Sequence, residues 1–315
     1  MGAGLTFSTR TLSQIWKAFK QLNPENVRKE AERQVRVAII GPTETIQDAA
    51  AYLLKDNIEA YDRAADVLIL LPLPLDPDAG RLLKNCDLAL KWSGYSTHLP
   101  EIATGRVFSF STAGELENVI RDIVYDPELK YARLPLARAL PAFRSEVAVS
   151  ITQSVSVENA IFVVSTSLGN VIPNPLQVLS SVGEALGDLV VLTANQLRML
   201  FMLAGAYDKE MGYKVLAPEM LSIVGSAFGW RALAREAVGM IPLGGGIVPK
   251  AAIAFAGTWA IGEGISYYYS TGKKLTNEQL KERFNTALTK GRANAESIYN
   301  KIKETAERLK TGGKV

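Results

Sequence analysis

The chain has 315 residues, 48% hydrophobic and 21% charged, with a net charge of +3. This composition excludes a disordered chain or a coiled coil, leaves room for two domains with cores of their own, and gives no support to a nucleic-acid partner. The single cysteine, Cys86, precludes an internal disulfide, and the single histidine, His98, precludes a His-rich metal centre, so no cofactor is expected.

Residues 1–34 read as two helices. In TLSQIWKAFKQL, Leu12, Ile15, Trp16, Phe19 and Leu22 share a face flanked by Lys17 and Lys20. Docking on the protein's own surface and lying in a lipid interface both fit that pattern. The lysines and the missing small-residue cleavage site make it a poor secretory signal, so any membrane is expected to be met from the cytoplasmic side. Asn23-Pro24 opens the second, charged helix.

Residues 35–125 read as a small α/β domain. VRVAII (35–40), ADVLILLPLP (65–74), DLALKW (87–92) and RVFSFS (106–111) are apolar runs of strand length, alternating with helical TIQDAAAYLLKD and AGELENVIRDIV. That alternation predicts a parallel sheet covered on both faces, with ligands expected at the carboxyl ends of the strands. The first such loop stands where a phosphate-binding loop would. Gripping phosphate and magnesium takes GxxxxGK[ST], and the chain reads GPTETIQD: Gly41 is there, the second glycine, the lysine and the hydroxyl are not, and Glu44 would repel the anion. Neither DxxG nor NKxD follows the later strands. Gly41, Thr43 and Thr45 remain the candidate nucleotide-binding residues, against a plainer reading of Thr43 as a helix cap. His98 reads as incidental, and Asp76-Pro77-Asp78 as a turn in preference to a metal corner.

Residues 126–155, with Pro127, Pro135, Pro141 and several basic side chains, read as a connector. Residues 156–311 read as an all-α apolar bundle. Small residues recur every four positions: Ala252, Ala256, Ala260 and Gly264; Gly183 and Gly187; Gly225 and Gly229. Such stripes let helix backbones approach closely, in membranes and in tight soluble bundles alike. No stretch is a clean span of ~20 uncharged apolar residues, which favours short insertion or a closed bundle over plain crossing helices. One arc of the second helix carries Glu184, Asp188, Asn195 and Arg198, read as an internal network that fixes register, with an ion pathway as the competing view.

ALGDLVVLTANQLRMLFMLAGAYDKEMGYK, followed by VPKAAIAFAGTWAIGEGISYYYSTGKKLT, resembles the YcjF-like family of uncharacterised bacterial membrane proteins over about residues 150–290. In that family the helical module often follows an Era-type GTPase domain. The resemblance implies a helical bundle associated with the cytoplasmic membrane and a shortened, degenerate P-loop GTPase-like domain before it. GTP hydrolysis is not carried over, because GPTETIQD departs from the motif.

Thr276 and Gln279 form a capping box, and Leu280, Phe284, Leu288, Gly291, Ala295, Ile298, Ile302 and Leu309 follow at helical steps, giving a long amphipathic C-terminal helix with a lysine-rich outer face. The expectation is a non-enzymatic, membrane-associated scaffold or remodelling protein with a pseudo-GTPase domain, whose partners are the lipid membrane, a GTPase protein or a second copy of the chain. A GTP-binding switch, and a small channel or transporter using Glu184, Asp188 and Glu263, stay open as alternatives.

Overall fold

The structure is a computed structural model; it describes residues 13, 17, 24–55, 57–96, 106–168, 188–223 and 246–311, with the side chains of 24, 58, 59, 188, 189 and 305–311 outside that description. His98, Glu184, the Gly183–Gly187 and Gly225–Gly229 stripes and most of the N-terminal helix lie outside the described residues. The chain divides into an α/β unit, Asn26–Ser150 with Ala204–Glu210, and a helical unit, Met1–Glu25, Ile151–Leu203 and Met211–Val315.

In the α/β unit, β1 (Val37–Gly41), β2 (Leu68–Pro72), β3 (Leu88–Trp92) and β4 (Val107–Phe110) form one parallel sheet in the order β2-β1-β3-β4. Every residue of β1 is buried, as a central parallel strand requires. The helices are α1 (Pro24–Ala31), α2 (Thr43–Leu54), α3 (Ile58–Ala65), α4 (Ala79–Leu83), α5 (Leu116–Tyr125) and α6 (Arg133–Ala139). On one sheet face, Ala38, Ile40, Leu71 and Ala89 meet Ala79, Leu83 and Cys86, the last three from α4 and the turn after it. Asp76 makes a turn, its Oδ1 accepting the Asp78 N–H at 2.8 Å just before α4. Near the start of the sheet, Asp87 accepts the Arg36 N–H and the Tyr131 hydroxyl, both at 2.8 Å, and the Arg33 guanidinium lies 4.4 Å over the Tyr131 ring.

Residues 126–155 correct the expectation of a connector. They are two 3-10 turns (Pro127–Ala132 and Pro141–Phe143), α6, and the first half of α7 (Arg144–Ser167). Leu129, Leu134, Leu136, Leu140 and Phe143 are at most 2% exposed and pack with α2, α3 and α5. The prolines mislead because Pro127 and Pro141 open their turns, where no N–H is needed, and Pro135 stands in the first turn of α6.

Cys86 is buried, its Sγ 3.4 Å from the Leu82 carbonyl oxygen, and burial, then the Asp87 charge, pushes its thiol up to about 11. At about pH 8 roughly one such thiol in a thousand is the reactive thiolate. Iodoacetamide is therefore expected to leave Cys86 unmodified in the folded protein and to alkylate it once guanidinium is added, read by intact mass. Rapid labelling of the folded protein would show that α4 does not stay closed over the thiol.

In the helical unit, α7 from Ile151 onward, α8 (Asp188–Ala206) as far as Leu203, α9 (Ile247–Thr271) and α10 (Asn277–Thr311) form the bundle. Phe255, Ala256, Ala260, Phe284, Ala287, Val163 and Val164 share one core. Thr276 and Gln279 make the reciprocal capping bonds, 2.9 Å and 3.3 Å, that start α10, and Gly272 ends α9 with a left-handed φ of 71°. α9 and α10 run antiparallel: Ala252 faces Gly291, Trp259 faces Lys290, and Glu263 pairs with Arg283 at 3.2 Å.

Candidate functional site

A β2-β1-β3-β4 order reverses direction between β1 and β3, and the crevice beyond their carboxyl ends is where an open α/β sheet binds ligands. Gly41 and Thr43 stand at that edge, and Thr45 lies in the first turn of α2. A single residue, Pro42, separates β1 from α2, and its carbonyl already accepts the Ile46 N–H at 3.0 Å. There is thus no loop of glycines to wrap a phosphate. The cap expected at Thr43 is also corrected: Pro42 holds the N-cap position, no side chain caps the helix, and Thr43 is an exposed first-turn residue.

The end of β3 is taken up by Trp92. A Cβ on Gly41 would come within 2.9 Å of the Trp92 Cβ, and one on Gly94 within 2.1 Å of the indole ring. The glycines at 41 and 94 therefore make room for this indole at the mouth of the crevice. The loops around it bond to one another: Lys91 Nζ donates to the Tyr95 carbonyl at 3.0 Å, Ser111 Oγ to Ser93 Oγ at 3.2 Å, and the Ser111 N–H to Glu115 at 2.8 Å. The sequence places WSGYST at the end of this strand, and W-x-G there was the signal for a ring folded back on the chain.

The polar residues of the bundle form a second site. Asn159 on α7 is its hub. Its Oδ1 accepts from Asn195 Nδ2 at 2.8 Å, and its Nδ2 donates to Thr258 Oγ1 at 2.8 Å. Thr258 Oγ1 also accepts from Gln196 Nε2 at 3.2 Å and donates to the Ala254 carbonyl at 2.8 Å, which fills its one donor and two acceptor positions. Asn159, Asn195 and Thr258 are fully buried. The network joins α7, α8 and α9 and contains amides and hydroxyls only, so it has nothing to titrate near neutral pH and no nucleophile activated by a base. The Asn195 and Gln196 carbonyl oxygens are buried without a hydrogen-bond partner.

Of the expected polar stripe, Asn195 enters this network and Arg198 does not: Arg198 pairs with Glu158 of α7, both side chains partly exposed. Glu184 and the Asp188 side chain lie outside the described residues. Glu263 is held by Arg283 on α10. Asn159, Gln196 and Thr258 were missed. The available signal was Thr152, Ser156 and Asn159 at steps of four and three along one face of an apolar helix. Among the described residues, no group of three or more His, Cys, Asp or Glu could hold a metal ion.

By length and composition, Pro141–Ser167 could cross a bilayer, but 67% of its most apolar window is already buried within the protein. Among the described residues of the helical unit, Val215 and Leu221 are the large apolar side chains that stand exposed, and they form no belt. No family model, curated protein or solved structure matches this chain.

Proposed function

We propose that this protein is a non-enzymatic scaffold at the cytoplasmic face of a bacterial membrane, with an α/β domain that is a shortened, nucleotide-free variant of a P-loop GTPase domain. One observation carries the membrane reading. Near its end α9 carries Tyr267 and Tyr268, both half-buried, with the hydroxyl of Tyr269 turned into the protein, and the turn after α9 exposes Lys273 and Lys274. Amphipathic rings beside lysines suit the headgroup level of a bilayer, where the ring body stays apolar and the ammonium meets anionic lipid. Peripheral contact through this turn fits better than crossing helices, because the apolar faces of α7, α8 and α9 are largely spent on one another. The absence of catalysis is supported by the uncharged network and by Trp92 at the sheet crevice. A GTPase acting in trans, or a second copy of the chain, is the partner the family resemblance suggests.

Fractionation is the test. The protein is expected in the membrane pellet, released by alkaline carbonate, and the purified protein is expected to float with phosphatidylglycerol vesicles and not with phosphatidylcholine vesicles. Each lysine near an anionic surface contributes about 1 kcal/mol, so Lys273→Glu with Lys274→Glu should weaken vesicle binding by roughly thirtyfold or more. A protein that stays in the soluble fraction and ignores anionic vesicles would remove the reading.

A further inference from the structure

The helical unit contains a cavity of about 230 Å³ between the helical segment 217–223, the last third of α9 and the start of α10. Its walls are apolar, built from Ile223, Ile261, Ile265, Leu275 and Leu280, and Gly264 leaves space in one of them. Two charged residues border it: Glu219 on the wall, and Lys274 exposed at the rim. One Glu219 carboxylate oxygen, Oε2, is out of contact with water and accepts no hydrogen bond. Most buried polar groups find a partner. Tyr269 lies near enough that, after burial, the Glu219 charge pushes its hydroxyl pKa up, and a donor arriving from the apolar space is the second way to satisfy this oxygen.

We propose that this cavity is a binding site for an amphiphilic primary amine, its alkyl chain among the isoleucines and leucines and its ammonium donating to Glu219. An apolar cavity of about 150 Å³ already admits benzene, so the space suffices for a six-carbon chain. An ammonium has three donors and a charge opposite to the carboxylate, whereas an alcohol supplies one neutral donor and a carboxylate would be repelled. The site belongs to the helical unit alone; Tyr268, Lys274 and Leu275, from the end of α9 and the turn after it, border it, and titration with soluble ligands reads it with no membrane present.

Three ligands with one chain and different heads test it: hexylammonium, hexanol and hexanoate, titrated into the full-length protein with calorimetry. Hexylammonium is expected to saturate at millimolar concentration, hexanol to bind at least tenfold more weakly, and hexanoate not to bind. Glu219→Gln should weaken hexylammonium at least tenfold. Gly264→Ala gives a second variant: its Cβ would meet the Leu280 and Leu275 side chains at 3.5 and 3.9 Å, ordinary contacts, so the fold holds while the methyl takes up cavity space. It should weaken all chain binding several-fold with an unchanged circular dichroism spectrum. Equal affinity for the three heads, unchanged binding in Glu219→Gln, or no saturable heat with hexylammonium would each overturn the assignment. Displacement of hexylammonium by phosphatidylcholine vesicles containing phosphatidylethanolamine, and not by phosphatidylcholine alone, would identify the amine as a lipid headgroup. Absence of displacement, with binding intact, would identify it as a free amine.

Discussion

Replacing Asn159 with leucine is expected to lower the stability of the folded protein by about 2–4 kcal/mol, read as a shift in the urea midpoint with unchanged slope. Leucine keeps the branching of asparagine, but its methyls cannot stand 2.8 Å from Asn195 Nδ2 and Thr258 Oγ1, so crowding adds to the loss of the hydrogen bonds. Asn195 Nδ2 would keep no acceptor, and Thr258 Oγ1 would retain Gln196 as its one donor. Each buried group left unpaired costs about 1–3 kcal/mol, more than the hydrogen bond itself was worth. This asymmetry makes a second result the more informative one. Asn159→Leu combined with Asn195→Leu should be less destabilised than the sum of the two single changes, because the orphaned amide disappears with its partner. If the single changes add, the two side chains do not interact in solution and the network does not hold α7 against α8.

The parallel sheet was legible because buried parallel strands are unbroken apolar runs; VAII, LILL and LALKW can hardly be anything else in an α/β chain. α4 was not legible, since five residues carry too little periodicity to show. α3 was passed over because IEAYDRAA is short and alternates polar with small residues. Prolines 127, 135 and 141 were read as breaks, although proline at a helix start is as much a start signal as a stop. The bundle network was half legible. An asparagine inside an apolar helix, Asn195, announces that it needs a partner, but its partner stands 36 residues away on another helix. The Arg138–Asp208 pair, 3.4 Å apart within the α/β unit, hides for the same reason: the acid follows α8, far along the chain from the basic segment it neutralises. At Trp92 the sequence offered the ring and two glycines, and only the fold places Gly41 beside it.

Gly291→Leu is expected to cost about 3 kcal/mol or more and to separate α10 from α9, since overpacking a closed contact forces both helices to move. A Cβ at position 291 would meet the Ala252 carbonyl oxygen at 2.8 Å and Phe255 Cδ1 at 3.0 Å. The first neighbour is backbone inside α9 and cannot turn aside. Even Gly291→Ala, which gains up to about 1 kcal/mol of helix propensity, should be destabilising there. The other close approach in the bundle has a different character. A Cβ at Gly262 would meet Thr152 Oγ1 at 2.5 Å and Cγ2 at 2.6 Å, both side-chain atoms of α7. Gly262→Ala should therefore be destabilising alone and regain most of its loss when combined with Thr152→Ala, which removes both atoms. No side-chain change on α9 should rescue position 291 in the same way, because its main obstacle is a carbonyl. Thermal denaturation of these four variants, with Thr152→Ala alone as the control, decides between the two cases. Rescue at 262 without rescue at 291 means that α9 meets α10 by direct backbone approach at position 291 and meets α7 at position 262 against the side chain of one threonine. A stable Gly291→Leu protein would mean that α9 and α10 do not pack this closely in solution, and the tyrosine–lysine turn between them would lose the rigid hairpin that presents it.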